Sequence, residues 1–267
     1  MSGLDLLTLR NSIVALFGLL LAAGYAVSYA QSPSQPPPQP LNASVSDYGT
    51  DFTVSPPPIC PKCLETELGF QSVSDGRYVP AVITVAPFNS KTDFTVLVNM
   101  LDSESPASDR TTHFGNRFDF VARQQVLAKG IFTLVLAPRG AVLMREADGG
   151  RAGLTAAPQL SWGHNLVVAN LTWTGGIGVS AANPRSDFVD AYDYYRILNT
   201  KGTALFLGFQ HELTAGQQAA GTEEGLIIPI RNGQVELETA QLNLNVKPEY
   251  QFQARVIVNW GALFSRK

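Results

Sequence analysis

A strict alternation of apolar and polar residues is the feature that most limits what this chain can fold into. Between Phe252 and Phe264 every second residue is apolar, and the apolar residues out of phase are Ile257 and Leu263. A period of two predicts a β-strand with one apolar and one polar face. A strand of a soluble β-sandwich shows the same alternation, so the interpretation depends on how often the pattern recurs.

The alternation recurs in twelve segments of about ten residues, and helical periodicity is absent from them. In the eleventh segment the apolar phase slips between Leu237 and Leu242, which predicts a β-bulge. The predicted strands are residues 64–73, 78–87, 92–102, 116–127, 131–143, 151–162, 165–178, 190–199, 203–214, 222–231, 234–246 and 249–261.

The connections between these segments alternate in length. Asn232-Gly233 is a type I′ hairpin signal. The tight connections are residues 87–90, 128–130, 162–165, 199–202 and 231–233, and the long polar ones are 103–115, 181–190 and 215–224. Two connections on the long side, 74–77 and 247–249, are short. Short periplasmic turns and longer extracellular loops are typical of an antiparallel, up-and-down transmembrane β-barrel, and an even strand number puts both ends on the periplasmic side.

The composition is poor in charged residues and argues against one class of partner. Charged residues are 15% of the chain, against a usual quarter, and the net charge is −3. That balance argues against a general nucleic-acid binder. After residue 30 no stretch has about 18 consecutive apolar residues, so membrane insertion must use strands.

Residues 1–30 have the pattern of a secretory signal peptide. Arg10 precedes an apolar run from Ile13 to Val27, and Ser28-Tyr29-Ala30 supplies the small residues of a cleavage site before Gln31. An uncleaved N-terminal anchor is the alternative, because Asp5 weakens the positive character of the first residues.

Residues 31–61 form a Pro-rich linker, with nine of the 17 prolines and no Lys or Arg. Such a segment is predicted to be disordered or polyproline II. Cys60 and Cys63 are the only cysteines, so a local disulfide at the entrance of the barrel, residues 62–267, is favoured over a zinc site, a redox site or lipid attachment. No metal or cofactor is expected.

The polar phase of the strands supplies the candidate lumen. A Lys or Arg that faces the middle of a bilayer costs roughly 2–4 kcal/mol, so charged strand residues should point inward. The candidate lumen-lining residues are Arg117, Asp119, Arg123, Arg139, Glu212, Glu236, Glu238 and Arg255. Aromatic residues near strand ends predict an interfacial girdle, namely Trp162, Trp173, Trp260 and Phe264, together with Tyr192, Tyr194 and Tyr195.

The alternation that ends in Trp260 and Phe264 resembles the terminal strand of Gram-negative outer-membrane proteins, which their assembly machinery recognises. Ser265-Arg266-Lys267 then follow, a departure from that pattern. Residues 225–261 also resemble a family of transporter-like barrels associated with the MetA pathway of phenol degradation. The resemblance implies an outer-membrane location, contact with outer-membrane lipid and with that assembly machinery, and transport of small, including aromatic, solutes. It implies no catalytic residues.

Three functions are compatible with the sequence. A channel or transporter is favoured, because a twelve-stranded barrel is wider than the eight-stranded kind that side chains fill. A structural barrel with a plugged lumen, which docks a periplasmic partner through the Pro-rich segment, is the first alternative. An outer-membrane lipid hydrolase is the second, with Ser161 and His211 as candidates; His113 and His164 fall in a predicted loop and turn. A secreted soluble β-sandwich is the alternative fold.

Overall fold

The described part of the chain forms a single antiparallel sheet of thirteen strands. The computed structural model describes residues 64–72, 76–86, 91–104, 112–113, 117–143, 150–177, 186–214, 217–242, 244 and 249–260. The strands are β1 Leu64–Ser72, β2 Gly76–Val85, β3 Thr92–Glu104, β4 Thr112–His113, β5 Arg117–Lys129, β6 Phe132–Leu143, β7 Gly150–Trp162, β8 Asn165–Ile177, β9 Ser186–Ile197, β10 Ala204–Thr214, β11 Gln217–Ile230, β12 Gly233–Leu242 and β13 Glu249–Asn259.

Twelve of these strands close into a barrel. Neighbours in the chain pair with each other from β5 to β13, and the ring is completed by β13 with β1, β1 with β2, β2 with β3 and β3 with β5. The short β4 pairs with the far end of β3, in line with β5. Closure leaves none of the twelve strands at an edge, so their backbone groups find partners within the sheet. The predicted twelve-stranded, all-β barrel is therefore confirmed.

The alternation decides which side chains face outward. On β13, Phe252 and Val256 are exposed, whereas Gln253 and Arg255 between them are buried. The same division holds on β8, where Trp173 is 54% exposed and Thr172 and Thr174 are buried. Apolar side chains on the outside and polar ones inside reverse the arrangement of a soluble protein. No helix among the described residues is long and apolar enough to cross a membrane.

The predicted loop over residues 215–224 is wrong, because most of it belongs to strand β11. β11 begins at Gln217, so residues 215–216 alone connect it to β10, whereas the sequence predicted a long loop over 215–224. Between Gln217 and Glu224 both faces of the strand carry polar or small residues, so the period-two signal is missing there. β9 likewise begins at Ser186, four residues earlier than predicted.

The predicted bulge in β12 is also wrong. Its pairing with β11 and β13 runs without a shift. The phase slips because Ala240 and Leu242 are apolar residues that are buried inside the barrel. The register shifts lie elsewhere. One is between Val79 and Pro80 of β2, where proline lacks an N–H for the ladder, and the other is in β5 beside Val126.

The hairpin between β11 and β12 lies where Asn232-Gly233 predicted it, with the turn displaced by one residue. Ile230 pairs with Gly233, so Arg231 and Asn232 form the turn. A Cβ on Gly233 would lie 1.9 Å from the carbonyl oxygen of Ile257. Glycine is needed at this position because the β13 backbone approaches it closely.

Candidate functional site: the interior of the barrel

The interior contains a network of charged side chains on β12, β13, β1, β3 and β5. Arg123 donates two hydrogen bonds to Asp93, at 2.7 and 2.8 Å, and both residues are buried. Two parallel bonds of this kind fix the orientation of the guanidinium and add to the attraction between the two charges. Glu65 of β1 interacts electrostatically with both Arg123 and Arg255.

Arg255 of β13 pairs with a carboxylate on each of the two neighbouring strands. Its guanidinium pairs with Glu67 of β1 at 2.9 Å and with Glu236 of β12 at 2.5 Å. The side chains of Arg255 and Glu236 are 3% and 5% exposed, so this charged group is shielded from bulk water. The arrangement spans the β1–β13 seam where the barrel closes.

A third group of polar side chains lies on β7, β8 and β9. Arg151 donates a hydrogen bond to Thr174 at 2.7 Å and pairs with Asp187 at 3.5 Å. Thr155 and Thr172 share a hydrogen bond of 2.8 Å nearby. All five side chains are buried.

Two carboxylates meet over Gly208, further round the ring. Gly208 of β10 pairs with Asp193 of β9 and with Glu223 of β11. A Cβ on Gly208 would lie 2.3 Å from Oδ1 of Asp193 and 2.6 Å from Oε1 of Glu223. The two oxygens are therefore close neighbours, and the absent side chain of Gly208 provides the space that they occupy.

The interior is not uniformly polar. Tyr195 and Phe206 are buried against Val168, with Leu166 and Ile227 packed around them, and the two aromatic rings are 5.6 Å apart. These residues lie in the half of β8–β11 that is nearer to the tight turns. The sequence placed Tyr195 in the outer girdle, which is wrong, because its strand position shares the inward phase of Asp193.

The candidate lumen-lining residues fall as follows. Asp119, Arg123, Glu212, Glu236, Glu238 and Arg255 are buried, and Arg139 is half-buried in the same inward phase of β6. Arg117 begins β5, and its side chain lies outside the part of the chain that is described. Sequence reasoning missed other inward charges, namely Glu65, Glu67, Asp93, Arg151, Asp187, Asp193 and Glu223. The phase of neighbouring apolar residues was the signal that could have found them.

The three tryptophans of the predicted girdle are exposed, at 45% for Trp162, 54% for Trp173 and 38% for Trp260. Trp162 ends β7 and Trp260 follows β13, both at the end of the barrel with the tight turns. Trp173 lies towards the opposite end. The indole N–H of Trp260 donates a hydrogen bond of 2.8 Å to Thr66. Phe264, Cys60 and Cys63 lie outside the described residues, as do the predicted signal peptide and linker.

The residues proposed for a lipid hydrolase are not brought together. Ser161 is one residue from a tight turn, whereas His211 lies near the opposite end of the barrel. His211 instead contacts Asp190 at 3.0 Å, both on the outward phase of their strands. They belong to a more polar part of the outer surface, where Gln218, Thr222 and Glu224 of β11 also face outward. Within the described ranges no group of three His, Cys, Asp or Glu side chains is arranged to hold a metal ion.

Two solved porins share this architecture. The KdgM porin and the NanC porin each superpose with a TM-score of 0.55, covering 73% of this chain and 98% of theirs at 9% identity. The fold is that of the twelve-stranded outer-membrane porins. A second KdgM structure, in complex with disordered oligogalacturonate, gives a TM-score of 0.54 at the same identity.

The finer resemblance to the barrels of the MetA pathway stays a prediction. No family model matches the chain, and no curated protein matches it. At 9% identity the likeness to the porins describes the fold and leaves the solute open.

Proposed function

We propose that this chain is an outer-membrane channel for small solutes. The observation that carries the proposal is a closed ring of twelve strands whose outside is apolar and whose inside holds ion-paired arginines and carboxylates. Charges such as Arg123–Asp93 are expensive to place away from water and unnecessary in a purely structural core. Inward charges are typical of the wall of a hydrated path, and the shared fold with two porins supports the same interpretation.

The proposed location is the bacterial outer membrane, with acyl chains against the exposed Leu, Val and Phe side chains. The assembly machinery of that membrane is the proposed partner of β13, whose outward face carries Phe252 and Val256. A periplasmic partner that binds the Pro-rich segment remains a proposal from the sequence. The small aromatic solutes implied by the MetA resemblance are retained as candidates. The charged interior supports small polar solutes more directly.

A plugged structural barrel is the second candidate, and one observation favours it. Several inward side chains, including Gln71, Asp93 and Gln253, are 0% exposed, and the Tyr195–Phe206 cluster fills part of the interior. Inward side chains without solvent exposure and an aromatic cluster in the interior are both expected if the path is narrow or blocked.

Planar-bilayer recording distinguishes the two candidates. Detergent-extracted protein that runs as a compact, heat-modifiable species should be added to a neutral lipid bilayer. Discrete conductance steps are expected from a channel. Folded protein that inserts and gives no steps would contradict the channel and favour the plugged barrel. Liposome swelling with neutral sugars and with small phenols then separates polar from aromatic solutes.

A further inference from the structure

The inward charges of the barrel are strongly unequal. Among the described side chains, ten carboxylates but four guanidiniums lie on the inward phase of the strands. The carboxylates are Glu65, Glu67, Asp93, Asp119, Asp187, Asp193, Glu212, Glu223, Glu236 and Glu238, and the guanidiniums are Arg123, Arg139, Arg151 and Arg255. Whichever pairs form, four positive charges cannot neutralise ten carboxylates. If Arg117 also points inward, the excess of negative charge persists.

The arginines are, in addition, already engaged with carboxylates. Arg123 pairs with Asp93, Arg151 with Asp187, and Arg255 with two glutamates. A permeating anion would have to compete with those bonds. On β9 and β11, the neighbouring oxygens of Asp193 and Glu223 over Gly208 place two acidic groups side by side.

A separate observation is that buried amides beside these carboxylates lack hydrogen-bond partners among the described residues. Gln71 of β1 is 0% exposed, and both polar atoms of its side chain lack a hydrogen-bond partner among the described residues. It pairs in register with Gln253, whose Nε2 also lacks one, and Gln253 pairs with Glu238. Buried amides rarely remain unsatisfied in native proteins, so water or a solute is the natural source of the missing bonds. The carbonyl oxygen of Gln71 is a suitable acceptor for a cation or an amine.

From this imbalance we infer that the channel is selective for cations: small inorganic cations and small amines should pass in preference to anions. The inference rests on the proposed function, since it names the solute class of the same pore. A channel wall of one sign of charge between low-dielectric walls concentrates counter-ions, and rings of Asp and Glu are the usual basis of cation selectivity. Salt weakens the effect, because the Debye length falls from about 10 Å at 0.1 M to about 3 Å at 1 M.

Reversal potentials in planar bilayers test the inference. With a tenfold KCl gradient across a bilayer that contains the folded protein, the zero-current potential should lie closer to the equilibrium potential of K⁺ than to that of Cl⁻. The permeability ratio of K⁺ to Cl⁻ should fall towards 1 as total salt rises. Glu223→Gln should lower the ratio at low salt. Glu224→Gln is the matched control: the next residue on β11 is exposed on the outside, and its loss changes net charge equally.

The outcomes separate the selectivity from the channel itself. Discrete steps with a K⁺ to Cl⁻ permeability ratio below 1, or an equal effect of Glu223→Gln and Glu224→Gln on that ratio, would contradict the proposed selectivity but not the proposed channel. Folded protein without steps would overturn both. If Glu223→Gln loses heat-modifiable mobility, Glu238→Gln serves as the second inward variant, since Glu238 is also buried and lies on a different strand.

Discussion

Replacing Arg255 by leucine should lower the free energy of unfolding of the barrel more than replacing an exposed charged residue. The substitution leaves Glu67 and Glu236 without the guanidinium that contacts them at 2.9 and 2.5 Å. Breaking a buried ion pair by removing one partner costs about 3–5 kcal/mol, because the remaining charge stays desolvated. Since Arg255 joins β1 and β12 across β13, the loss falls on the seam that closes the ring.

Urea unfolding in detergent, followed by tryptophan fluorescence, measures the effect. We expect the midpoint of Arg255→Leu to fall by the equivalent of about 3–5 kcal/mol. Arg231→Leu is the matched control, because Arg231 is exposed in the β11–β12 turn, and a change of less than about 0.5 kcal/mol is expected. Adding Glu67→Gln and Glu236→Gln should restore part of the loss. Equal midpoints for Arg255→Leu, Arg231→Leu and the wild type would refute the reasoning.

Three further predictions concern packing, lipid contact and the N-terminal segment. Gly153→Ala should lower the unfolding free energy by about 1–3 kcal/mol, because the new Cβ would lie 2.1 Å from the carbonyl oxygen of Trp173. Gly140→Ala is the control, because its nearest atom would be 3.4 Å away. A comparable loss of stability in Gly140→Ala would contradict the steric explanation. The fluorescence of the exposed tryptophans should be quenched more by brominated acyl chains than by aqueous acrylamide, and the opposite order would exclude lipid contact. Deleting residues 31–59 should leave heat-modifiable mobility unchanged, because the ring closes from Leu64 onward; loss of the folded band would show that the barrel needs this segment.

Strand positions could be predicted wherever one face is apolar and the other is polar. The final strand is clear, because Phe252, Ala254 and Val256 alternate with glutamines and Arg255. The start of β11 could not be found in this way, since Gln218, Thr222 and Glu224 occupy the outward positions. Hydrophobic periodicity reports a difference between two environments, and it disappears where both faces carry polar side chains.

The ion pairs inside the barrel could not be predicted, because prediction requires the register of the paired strands, which the sequence alone does not give. Arg123 reaches Asp93 across 30 residues of chain, and the pairing of β3 with β5 sets their contact. The register of β5 with β6 shifts beside Val126, and an alternation of apolar residues does not locate such a shift. Tyr195 illustrates the same limit: an aromatic residue near a strand end suits an interface or an interior equally well.

The pairing of β1 with β13 has a consequence for how the protein is made. Glu65 pairs with Asn259, and the backbone N–H of Trp260 donates a hydrogen bond to the carbonyl oxygen of Leu64, so the ring is joined by residues almost 200 positions apart. Until the last strand emerges from the ribosome, the first has no partner on that side. Any partly formed sheet that lacks β13 has unpaired edge strands, which favour aggregation, so chaperones that bind those edges should raise the yield of folded barrel.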